Sequence, residues 1–164
     1  LAVGVYEGES DLLGLAVFRG LAKGHPLAGS AGAARLAAWA GWRSGAGRRG
    51  RSPEDGRILD RQLRAHAREA RWRLARVALE IDRAIRRHGR GLGERQLLIG
   101  DLSAQVRELV SGLAVAHHAD VRSDDESIAA ADVWCRLALA RAAGRRPTPA
   151  DLAAVAALGR RALG

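Results

Sequence analysis

Apolar residues fall three or four apart along most of this chain, and strict alternation is nowhere sustained. That is the period of one helix face, so the chain reads as all-α. The clearest stripe is Leu63, Ala67, Ala70, Leu74, Val77, Ile81 and Ile85. It lies on a helix read from Ser52–Pro53, a good N-cap followed by a good first helical residue, to about Arg87. Arg86, Arg87 and His88 put cations in its last turn, and Gly89 supplies the stop. A second stripe, Leu98, Leu102, Val106, Leu109, Leu113 and Ala116, spans about Glu94 to Ala119. Residues Gly89 to Gly93 then join the two as an antiparallel hairpin.

Shorter elements flank this pair. Ser10 and Asp11 open a helix that Gly24-His25-Pro26 ends, and an Ala-rich helix follows from about Ala31 to Trp42. Ser44 to Arg51 is rich in Gly and Arg and reads as a loop. Ser123, with Glu126 as its capping-box partner, starts a helix bearing Ile128, Ala131, Trp134, Cys135 and Ala138. Gly144 and Pro147 end it, and Thr148-Pro149-Ala150-Asp151 caps a last helix with Leu152, Val155 and Leu158. The expected architecture is an antiparallel helical bundle.

Composition narrows the picture. Hydrophobic residues make up 48% of the chain but aromatics only 4%, so the core must be built from Ala, Leu, Val and Ile. The lone cysteine, Cys135, excludes an internal disulfide. No apolar run approaches the ~20 residues of a spanning helix. The formal charge is +9, and Lys23 is the one lysine, so the excess is almost wholly arginine. Such a balance suits an anionic partner, but Ala, Arg and Gly rise together, as a GC-rich genome also makes them do.

The chemistry points to the first residues. Glu7 stands between Gly4 and Gly8 in a short loop, just ahead of a capped helix, where its carboxylate is a candidate general base. Val5-Tyr6-Glu7-Gly8-Glu9-Ser10-Asp11, followed by Leu12-Leu13, resembles the turn that carries the catalytic glutamate of acyl-CoA dehydrogenases. The likeness continues through Phe18-Arg19-Gly20-Leu21-Ala22-Lys23-Gly24-His25-Pro26-Leu27. It resumes at Arg87 to Leu98 and at Ala131-Asp132-Val133-Trp134-Cys135-Arg136, as in the long- and very-long-chain members. The resemblance implies that residues 1–43 end the catalytic helical domain, 44–56 form a Gly/Arg-rich loop, and 57–164 form an additional helical region. It also implies that the chain is the C-terminal piece of a longer flavoenzyme and is inactive by itself.

By the same resemblance, Glu7 removes the α-proton of a fatty acyl-CoA and its backbone N–H helps bind the thioester carbonyl. Gly8 lies at the substrate, and Glu9, Ser10 and Asp11 match the segment that contacts FAD. The family has Thr or Ala at the place of Glu9 and Asn at that of Ser10. The implied reaction yields a trans-2-enoyl-CoA in fatty acid β-oxidation. Electron-transferring flavoprotein is the implied acceptor, and the implied assembly is a homo-oligomer. The implied setting is the bacterial cytoplasm, with peripheral contact at the inner membrane through the arginines of the long helix. No nucleic acid is expected on this reading.

The alternative is a non-catalytic basic helical module that binds nucleic acid or an anionic membrane surface. A third reading is a dehydrogenase domain that keeps the fold but has lost the chemistry. Neither His117-His118 nor Cys135 changes the choice. Adjacent helical residues point about 100° apart and do not share one ion, and a Cys beside Trp134 on an apolar helix reads as a packed thiol. Trp39, Trp42 and Trp72 stand among Ala and Arg, which suits core or cation–π packing.

Overall fold

The computed structural model describes residues 16, 19, 20, 23, 25, 26, 33–49 and 57–163. The fold is all-α, and no strand occurs among the described residues. Among the described residues five α-helices can be delimited, in order: α1 (Ala33–Arg49), α2 (Arg61–His88), α3 (Gln96–Arg122), α4 (Asp125–Ala142) and α5 (Pro149–Leu163). A 3-10 segment, Gly89–Glu94, links α2 to α3. The described residues fall into two compact units. The first holds α1, α2 from Trp72 and α3 as far as Arg107; the second holds residues 57–71, α3 from Glu108, α4 and α5.

The core is aliphatic, as the shortage of aromatics requires. In the second unit Ile58, Leu63, Ala67, Ala116, Ala119, Ala131 and Cys135 form one buried cluster, with Leu113, Val115 and Ile128 against it. Leu63 and Ala67 come from the start of α2, and Ala116 and Ala119 from the end of α3, so the two helices run antiparallel. Alanine at most of these positions keeps the helix surfaces small and lets the backbones approach. In the first unit Val77, Ile81 and Ala84 of α2 and Ile99, Leu102 and Val106 of α3 are buried. Four of the five residues in the two α2 sets belong to the apolar stripe read from sequence; Ala84 is the addition.

Several boundaries differ from the sequence reading, each for a local reason. Helix α1 continues through Ser44–Arg49, the stretch assigned to a loop. Glycine costs a helix about 1 kcal/mol per residue but does not forbid it. Here Ser44 Oγ also donates to the Gly41 carbonyl at 3.0 Å. The long helix starts at Arg61, not at Ser52, which lies outside the described residues with Pro53. Its cap is Asp60, whose Oδ1 accepts the N–H groups of Gln62 and Leu63, both at 2.8 Å. Asp120 of α3 steadies that entrance by accepting the backbone N–H groups of Leu59 at 2.9 Å and Asp60 at 3.0 Å.

Helix α4 is capped by Asp124 and not by Ser123. Asp124 accepts the N–H of Ser127 at 2.7 Å and its hydroxyl at 2.8 Å. Ser123 sits at φ 55° and its hydroxyl turns back to the Asp120 carbonyl. The reversal between α3 and α4 is so short that Ser123 must take the left-handed turn, and the capping role passes one residue on. The Asp124 carboxyl is held at about 2, first by the Ser127 N–H, then by the Ser127 hydroxyl and Arg122.

Two other ends follow the sequence reading. Gly144, at φ 65°, closes α4: its N–H reaches the Arg141 carbonyl at 2.9 Å, and that of Arg145 reaches Ala140 at 2.9 Å. At α5, Thr148 Oγ1 accepts the Asp151 N–H at 3.2 Å, while Asp151 accepts the Thr148 N–H at 2.9 Å.

Leu63 is 0% exposed and Leu97 is 88% exposed, although both are leucines near a helix start. Leu63→Ala is expected to destabilise the chain by about 2–5 kcal/mol, and Leu97→Ala by less than about 0.5 kcal/mol. Urea unfolding of the two variants measures the contrast.

Candidate functional site

Glu7, Gly8, Glu9, Ser10 and Asp11 all lie outside the described residues. What the structure does display is a buried polar centre that the apolar pattern concealed. Asp82 of α2 sits at 0% exposure and is met by four side chains. Trp39 Nε1 donates to Oδ1 at 2.7 Å, and His25 Nε2 lies 3.1 Å from the same oxygen. Arg43 Nη1 donates to Oδ2 at 2.7 Å, and Arg86 reaches that oxygen through Nε at 3.1 Å and Nη2 at 3.0 Å.

The rest of the centre is aromatic and cationic. Arg43 and Arg86 each lie over the Trp39 ring, at 5.5 Å and 5.6 Å from its centroid. His25 meets Trp42 edge-on, with centroids 4.7 Å apart. Trp39 and Arg43 project from α1 one turn apart, and Arg86 follows Asp82 by one turn on α2. Helical spacing alone therefore aims three of the four partners at one carboxylate.

Burial raises the Asp82 carboxyl, but the Trp39 N–H, the Arg86 hydrogen bond and charge, and His25 outweigh it. The net result is a pKa below the usual carboxylate value. Both oxygens are engaged and water does not reach them. A carboxylate so held is a poor proton acceptor. Its role is to anchor α1 and His25 to α2, and it is not a general base.

A second polar group lies in the other unit. His66 Nε2 donates to Asp132 Oδ1 at 2.7 Å, and Arg136 Nε stands 3.3 Å from Asp132 Oδ2. Asp132 borders an open groove of about 360 Å³, lined also by Gln62, Ile128, Val133, Leu158 and Arg161. A carboxylate fixes the orientation of an imidazole in this way in acyl-transfer enzymes. The described lining of the groove, however, contains neither Ser nor Cys. Cys135, one turn from Asp132, is buried and its thiol donates to the Gly112 carbonyl at 3.3 Å. Burial, and then the charge of Asp132, push that thiol up to about 11, so it is not a nucleophile.

Other sequence candidates resolve simply. Arg71 reaches His117 at 3.4 Å, while His118 is exposed. Among the described residues no group of three or more His, Cys, Asp or Glu is gathered to hold a metal. Trp72 and Trp134 are partly exposed and each carries an arginine on its face, Arg76 at 4.8 Å and Arg141 at 5.4 Å. Trp39 and Trp72 thus take part in cation–π packing, as their surroundings in the sequence suggest, and Trp134 does so as well. Neither Asp82 nor the His66–Asp132 pair was visible in the apolar pattern. The available signal for Asp82 was one acidic residue beside Ile81, with Trp39, Arg43 and Arg86 at helical spacings.

Compared with protein-family models, curated proteins and solved structures, the chain matches none.

Asp82→Ala removes the acceptor that Trp39, Arg43 and Arg86 share. The expected loss is about 3 kcal/mol, at the low end for a broken buried pair because both half-exposed guanidinium groups regain water. The folded pKa of Asp82 lies below its unfolded value, so its contribution is complete above the ordinary aspartate range and is lost as pH falls through the folded value. The difference in unfolding free energy between wild type and Asp82→Asn should thus narrow below about pH 4. A difference that stays constant from neutral to acid pH would show that Asp82 is not held as the ion.

Proposed function

We propose that this chain is the C-terminal helical part of an FAD-dependent acyl-CoA dehydrogenase of the long-chain type, with Glu7 as its base. The observation that carries the reading is the turn Val5 to Asp11 with its apolar continuation, followed in order by the later resembling segments. The all-α class of the described residues agrees with it.

The basic-module alternative draws on the nine arginines of α2, of which Arg64, Arg71 and Arg86 are engaged inside the protein. Arg64 donates through Nε to the Ile58 carbonyl at 2.7 Å and through Nη2 to that of Leu59 at 2.9 Å. Arg71 is turned to His117. Arg61, Arg68 and Arg76 remain exposed. The basic face of α2 is therefore smaller than its count of arginines suggests.

On that reading the Glu7 carboxylate takes the proton from the α-carbon of a fatty acyl-CoA. Its own N–H, with its neighbours, steadies the charge that develops on the thioester oxygen. FAD supplies the acceptor for the β-hydrogen, which leaves as hydride, and the product is the trans-2-enoyl-CoA. Glu9, Ser10 and Asp11 would be the residues that hold the cofactor. Electron-transferring flavoprotein would reoxidise the enzyme, and the active assembly would be a homo-oligomer. No described helix is long and apolar enough to cross a membrane. On the dehydrogenase reading membrane contact would be peripheral.

Glu7→Gln, in the polypeptide that includes the flavin-binding domains this reading requires, should slow flavin reduction by acyl-CoA about a hundredfold or more. Stopped-flow absorbance follows the reduction directly. Reduction at a near-normal rate would end the assignment of Glu7.

A further inference from the structure

The last turns of α2 carry a set of cations that neither the Asp82 centre nor the proposed catalysis uses. Arg83, Arg87 and His88 line an open groove of about 590 Å³, together with Arg86, Glu80, Ala84 and Leu98. That volume lies within the ~300–1,000 Å³ of small-molecule sites. Arg83 and Arg87 are exposed and have no ion pair among the described residues. They stand four residues apart on one helix face, about 6 Å along the axis. Ala84 and Leu98 add apolar lining.

We infer that this groove binds a small phosphoanion of the diphosphate class, free or esterified, gripped by Arg83 and Arg87. Guanidinium groups present paired donors that match phosphate oxygens, and two of them at this spacing can hold two adjacent phosphoryl groups. Glu80 and the carbonyl end of α2 oppose an anion. The helix end carries roughly half a unit of negative charge, and Glu80 one. Arg83 and Arg87 bring two positive charges and Arg86, already shared with Asp82, a third at the edge. His88 offers a further ring N–H. The balance favours the anion. The inference is independent of the dehydrogenase reading.

Isothermal titration of the full chain with inorganic pyrophosphate, and separately with inorganic phosphate at matched ionic strength, tests it. Saturable one-site binding is expected, tighter for pyrophosphate. Arg83→Gln with Arg87→Gln should weaken it by about tenfold or more, as expected when hydrogen bonds to a charged group are lost. Arg61→Gln with Arg68→Gln removes the same charge from exposed positions elsewhere on α2 and should change affinity by less than about twofold. Absence of saturation at millimolar pyrophosphate overturns the inference. Equal weakening by the two pairs overturns it too, because general positive charge would then account for the binding. All four positions are exposed, and unchanged circular dichroism verifies that both variants fold. The Arg83→Lys, Arg87→Lys variant keeps charge and fold but loses the paired donors. It too should bind more weakly, and undiminished affinity would refute the two-armed grip.

Discussion

One carboxylate removed from water sets the arrangement of the first unit. Asp82 lies on the buried side of α2, where an unpaired ion would cost several kcal/mol. It is tolerated because Trp39, Arg43, Arg86 and His25 converge on its two oxygens. The requirement runs both ways. The carboxylate needs those donors, and the donors fix where α1 lies and how it is rotated. In a chain with so few aromatics there is little bulky side-chain surface to specify helix packing. Directional polar contacts take over part of that task, and alanine seams allow the close approach they need.

Charge-bearing ends perform the same work in the second unit. Asp120 at the end of α3 receives the backbone of Leu59 and Asp60, and Asp60 in turn caps α2. Asp124 caps α4, and Asp151 completes the cap of α5. Thr148, through its hydroxyl and then its N–H, holds the Asp151 carboxyl below its ordinary range. Three acids of this basic protein, Asp60, Asp124 and Asp151, are thus placed at helix starts, where they favour the dipole and satisfy free N–H groups. The surplus of arginine is left to cover aromatic faces, bridge to these acids and face solvent.

The helical period was legible in the sequence, and with it the two long stripes, the Gly89 stop, the Gly144 stop and the Thr148–Asp151 cap. Each of these depends on residues within a few positions of one another. The start of α2, the continuation of α1 and the shift of the cap from Ser123 to Asp124 were not legible. They depend on partners distant in sequence, such as Asp120 beneath Leu59, or on the backbone of a short reversal. Asp82 was hidden because a polar residue beside an apolar stripe looks like a solvated flank until its partners on α1 are brought to it. The resemblance at Glu7 rests on sequence order and on chemistry, and the described residues begin beyond it.

Cys135 closes the account of the second unit in another sense. It is the chain's one thiol, it is buried in that unit's core, and burial keeps it protonated. An alkylating reagent can reach it only when α4 moves away from Ala116 and Leu63. The rate at which the thiol is trapped is then a clock for the opening of this one unit, read separately from the unit that Asp82 holds. The protein thus contains its own reporter of whether its two halves open together or one at a time.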